Sequence, residues 1–165
     1  MSRIFSISGN FMQYGMWSEP DPSFVGKIVA TDDDEFYGFC EELYCNDMSD
    51  INRTRYLAGA FAKNGRNRRQ GIAFYKLSND PEQSPLMYVV PDLTNPKSGS
   101  WAALSRTGFF LEQGKAKVII EEEVYSKEEE DRIKAKYQTL NKEESCNHEL
   151  LEQIHCCKDI IINAT

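Results

Sequence analysis

The chain has 165 residues, 41% of them hydrophobic and 12% aromatic, with a formal net charge of −7. That length and composition fit one globular domain and exclude a disordered chain. The acidic balance disfavours nucleic acid as a partner for the whole molecule, because phosphates are repelled at long range.

Eight strand-like, turn-punctuated segments come first. Arg3–Phe11 alternates in character, setting Phe5, Ile7 and Gly9 against Ile4, Ser6 and Ser8, the period of a half-buried strand. After the punctuation SEPDPS, Phe24–Thr31 and Glu35–Tyr44 flank the acidic turn Asp32-Asp33-Asp34 and read as a hairpin. Both carry a Phe-x-Gly triplet, FVG and FYG, and glycines inside strands signal bends in a curved sheet. Arg55–Lys63 and Gln70–Leu77 flank the turn NGRNRR. Leu86–Val90 follows, then Trp101–Leu111 and Lys115–Val124, joined through a turn at Glu112-Gln113-Gly114. Short connections favour a meander.

From Ser126 the pattern turns helical. Ser126-Lys127-Glu128-Glu129 reads as a capping box, with Ser126 as N-cap and Glu129 reaching back. Ile133, Tyr137 and Leu140 then recur at helical spacing. A second helix is expected from about Asn147, with Leu150, Leu151, Ile154, Cys157 and Ile161 as its apolar stripe. The reading is therefore a mainly β single domain over residues 1–165. Residues 1–125 form an eight-stranded antiparallel up-and-down barrel, and residues 126–165 a two-helix extension packed on it.

Gly15-Met16-Trp17 resembles the GxW tripeptide near the first barrel strand of lipocalins and fatty-acid-binding proteins. The resemblance covers three residues and the strand count. It implies a calycin-like barrel whose tryptophan plugs one end, with a late-strand cation, Lys115 or Lys117, packed on the ring.

No catalytic constellation stands out. No serine or cysteine sits in a GxSxG elbow. His148 and His155 lie seven apart, about 10 Å along a helix and too far to share a metal. Asp32 to Glu35 lacks the spacing of a calcium loop. The pairs Glu41-Glu42 and Glu121 to Glu123 would each turn one member inward on a strand, although solvated positions are expected. No cofactor, metal or catalytic residue is assigned, and the chain reads as a binding protein rather than an enzyme.

The charge distribution is sharper. No acidic residue occurs between Ile51 and Asn79, while Arg53, Arg55, Lys63, Arg66, Arg68, Arg69 and Lys76 all do. This Arg53–Lys76 hairpin suits an acidic partner or an anionic ligand, unless the acidic stretch EEEVYSKEEED neutralises it internally. The aromatic set would line a cavity or fill the barrel. The expected function is to hold a small apolar or anionic ligand in or at the mouth of the barrel, through Arg55, Tyr75, Lys76, Tyr88 and Trp101. The alternative is a protein–protein interaction module using the basic hairpin or the C-terminal helices, with a filled barrel. The N-terminal run has no signal-type apolar core, and no stretch reaches the roughly 18 apolar residues of a membrane span. Five cysteines form no CxxC pair, so free thiols, a cytoplasmic location and no membrane partner are expected.

Overall fold

The computed structural model describes residues 1–43, 53–63, 65–66, 68–78, 83–104 and 110–140. The strands are β1 (Arg3–Gln13), β2 (Met16–Trp17), β3 (Phe24–Ala30), β4 (Glu35–Glu42), β5 (Thr54–Lys63), β6 (Arg69–Leu77), β7 (Leu86–Val90), β8 (Gly99–Leu104) and β9 (Phe110–Glu123). Each pairs antiparallel with its neighbour in the order β2-β1-β3-β4-β5-β6-β7-β8-β9, and β9 returns to pair with β1. That last ladder runs from Ile4↔Glu123 to Phe11↔Ala116 and removes the free edges. β2 pairs only with the end of β1, so eight strands make the wall of a closed up-and-down barrel.

Period-two alternation sorts the side chains. Phe5, Ile28, Phe36, Leu57, Ile72 and Phe74 meet inside as one buried cluster. Their neighbours in sequence point outward. The wall is narrow, and the FVG and FYG glycines explain how it closes. A Cβ on Gly26 would run into the Phe39 carbonyl oxygen, and one on Gly38 into that of Lys27. Only glycine lets β3 and β4 approach so closely there.

One α-helix, α1 (Lys127–Leu140), is present among the described residues. It packs across β3, β4 and β5, where Ile133 is buried with Ile4, Val29 and Phe39. The Tyr137 ring lies 5.3 Å from that of Tyr37 and 5.9 Å from that of Tyr56. Ser126 caps α1 as expected, its Oγ accepting from the Glu129 N–H at 3.3 Å. Glu129 does not reach back, because Arg132 one turn on donates to it at 2.8 and 2.9 Å. The second helix expected from Asn147 lies outside the described residues, as do His148, His155, Cys146, Cys156 and Cys157.

Two further expectations change. Glu112-Gln113-Gly114 is not a turn; it lies inside β9, with Gly114 opposite Trp101. The glycine makes room for the indole, since a Cβ there would come 2.6 Å from the Trp101 Nε1. Trp17 is half-buried on β2, outside the buried core. It does not fill the barrel, and Lys117 pairs with Asp21 at 2.9 Å rather than with a ring.

Candidate functional site at one end of the barrel

The two ends of the barrel are built differently. At one end Arg69 lays its guanidinium over Phe5 and Phe61, 5.6 and 5.0 Å from the ring centres. Asp34 holds it at 3.1 Å and takes Lys63 at 2.7 Å. Asp34 itself adopts a left-handed backbone, φ 61°, in the β3–β4 turn. Phe5, Phe36 and Phe61 fill the space beneath. Among the described residues, these side chains cover this end.

The other end holds a half-open cavity of about 280 Å³, lined among others by Phe11, Gln13, Arg55, Tyr88, Trp101 and Glu112. Alternation places each of these side chains on the inner face of its strand. Trp101 is held firmly: its Nε1–H donates to the Met12 carbonyl at 2.9 Å, and its ring meets Phe11 edge-on at 5.7 Å. Gln13 Nε2 donates to Glu112 Oε1 at 2.7 Å across the β1–β9 seam.

Beneath the cavity lies a charged cluster. Lys76 Nζ is 2.5 Å from Glu42 Oε1, with neither side chain exposed. The ammonium also faces the Phe24 ring at 4.3 Å and the Tyr88 ring at 5.1 Å, both favourable cation–π contacts. Arg55 Nε stands 3.8 Å from the same Glu42 oxygen, and its Nη2 is 3.5 Å from Gln83 Oε1. Lys76 and Glu42 meet as a close ion pair. Glu42 Oε2, Arg55 Nε and Arg55 Nη1 have no hydrogen-bond partner among the described residues.

Lys76, Tyr88 and Cys40 are each held in the protonated form. Burial alone would pull the Lys76 ammonium down, but Tyr88, Glu42 and Cys40 outweigh it and hold it above its ordinary value. Burial pushes Tyr88 up to about 12, with Lys76 opposing. Burial, then the Glu42 charge, also raises the Cys40 thiol. Neither Lys76 nor Cys40 is therefore poised as a nucleophile near neutral pH. What the cluster offers is fixed positive charge: two cations share one carboxylate.

Of the residues expected to hold a ligand, Arg55, Tyr88 and Trp101 line the cavity. Lys76 lies deeper, wholly buried on Glu42. Tyr75 faces the other way. It belongs to an outer-face cluster with Tyr56, Ala60 and Ala73, against which Tyr137 and Leu140 pack, because one step along a strand reverses the face. Glu42 was expected to be solvated, yet it is 1% exposed. It continues the inward series Phe36, Gly38, Cys40 on β4, and that parity was the available signal. Glu112 was hidden by the misread turn, and Gln13 carried no signal.

The basic run does not form one surface. Arg55 and Lys76 face inward at the cavity end, whereas Lys63 and Arg69 pair with Asp34 at the other. The acidic stretch answers different cations: Glu123 takes Lys27 at 2.5 Å, and Glu122 takes Arg3 at 3.5 Å. Among the described residues no cluster of metal-ligating side chains occurs, and no helix is long and apolar enough to cross a membrane. No protein-family model matches the chain, and no curated protein or solved structure matches it.

Proposed function

We propose that the protein is a non-catalytic binder of a small anionic ligand, seated in the end cavity with its negative group against Arg55. One observation carries this reading. Arg55 is 3% exposed, lines the cavity, and keeps Nη1 without a hydrogen-bond partner among the described residues. A buried guanidinium in that condition is costly to retain, and its fork geometry suits a carboxylate or phosphate oxygen pair. Glu42 does not neutralise it fully, because Lys76 engages the same oxygen more closely. Trp101, Tyr88 and Phe11 supply the apolar walls expected of a small-molecule site. The calycin-like wall and meander fit this role, and the free, buried Cys40 suits a reducing cytoplasm.

Native mass spectrometry of freshly purified protein, repeated after denaturation, tests the reading. The expected result is a discrete adduct that disappears on unfolding and is missing from Arg55→Met. Bare protein in both states, with no thermal stabilisation by a panel of small carboxylates and phosphates, would overturn it.

A further inference from the structure

The cavity is polar in a directional way. β5 and β9 are four strands apart in an eight-stranded wall, so Arg55 and Glu112 approach the cavity from opposite sides. Both line it, and among the described residues they form no ion pair with each other. Each has incomplete charge compensation. The carboxylate nearest Arg55 is held by Lys76. Glu112 is met by Gln13, a neutral donor. Trp101, Tyr88, Leu86 and Phe11 are the apolar part of the same lining.

Resting on the binding reading above, we infer that the ligand is amphoteric: it carries a carboxylate for Arg55 and a protonated amine for Glu112, joined through a small apolar body. A purely anionic ligand would satisfy Arg55 and bring its remaining surface against the Glu112 charge. A ligand with both groups neutralises both walls through charge-assisted hydrogen bonds, one to the buried Arg55 and one to the half-buried Glu112. Size agrees. At about 280 Å³ the cavity lies at the small end of ligand sites and equals roughly nine water volumes. That suits a molecule of amino-acid size.

Isothermal titration of the full chain with three matched probes tests this: 4-(aminomethyl)benzoate, 4-methylbenzoate and 4-methylbenzylamine. The expected result is that 4-(aminomethyl)benzoate, with its charges at opposite ends of one ring, binds at least about tenfold more tightly than either singly charged analogue. In Glu112→Gln, whose amide oxygen still accepts from Gln13, 4-(aminomethyl)benzoate and 4-methylbenzoate should bind alike. Equal binding of those two by the native chain overturns the amphoteric assignment and leaves the anion-binding reading standing. Failure of all three probes while native spectra show an adduct overturns it equally. Failure of all three with no adduct removes the binding reading itself.

Discussion

Lys76 and Glu42 meet 2.5 Å apart with both side chains withdrawn from solvent, and Arg55 stands 3.8 Å from the same carboxylate oxygen. The three are not equivalent under mutation. Glu42→Gln leaves two buried cations facing each other, whereas Lys76→Met leaves Glu42 with Arg55 still nearby. Breaking a buried pair costs about 3–5 kcal/mol; we expect Glu42→Gln at the upper end and Lys76→Met at the lower. Urea unfolding of both variants checks the order. A larger loss for Lys76→Met would show that Arg55 does not share the carboxylate.

The same cluster sets the alkaline limit of the fold. Tyr88 rises from an ordinary 10.0 to about 12, and Lys76 lies above its ordinary 10.5. Each binds its proton more tightly folded than unfolded. Their stabilisation is therefore complete below the unfolded values and is lost as pH climbs toward the folded ones. The buried Cys40 thiol adds a contribution of the same sign, beginning near its ordinary 9.0. The urea midpoint should fall steeply between pH 10 and about 12, and Tyr88→Phe should make that fall shallower. A midpoint unchanged across this window would contradict the environment described for Tyr88.

Gly114 and Trp101 form a matched pair across β8 and β9. A methyl group at Gly114 would meet the Met12 carbonyl and the indole nitrogen together, so the ring must shift out of its hydrogen bond. Gly114→Ala should lose about 1–3 kcal/mol, the range for overpacking, and in a Trp17→Phe background its emission should move to the red. Trp101→Ala should abolish ligand uptake while unfolding stays cooperative. Unaltered affinity in that variant would remove Trp101 from the binding wall.

At the packed end, Asp34 combines a left-handed backbone with two ion pairs. Asparagine tolerates that conformation, so Asp34→Asn isolates the charge. The Lys63 side chain is 34% exposed and that of Arg69 26%, so water screens part of the interaction. A loss of about 1–2 kcal/mol is expected, below that for the buried pair. Thermal unfolding in low and high salt checks it, since the difference between Asp34→Asn and the native chain should shrink with salt.

The barrel was legible because its signals are local. Alternation in Arg3–Phe11 and the acidic turn at Asp32–Asp34 announce strands and a hairpin without knowledge of their partners. Arg55, Tyr88 and Trp101 were accessible for the same reason, being charge or aromatic residues on strands that alternate. The failures arose where a residue's meaning depends on what lies opposite. Gly114 reads as a turn until Trp101 is placed across from it. Tyr75 looks like its neighbour Lys76 until register assigns them to opposite faces. Glu42 looks like a solvated carboxylate until Lys76 arrives from β6, more than thirty residues later. Glu129 follows the capping-box spacing, but Arg132 competes for it from one turn away.

The guanidinium of Arg69, laid on Phe5 and Phe61 and tied to Asp34, gives the molecule a floor. A tube with a floor is a cup rather than a conduit. On the binding proposal, a guest would leave past Gln13 and Glu112 by the same end it entered, and two guests could not exchange by following one another through.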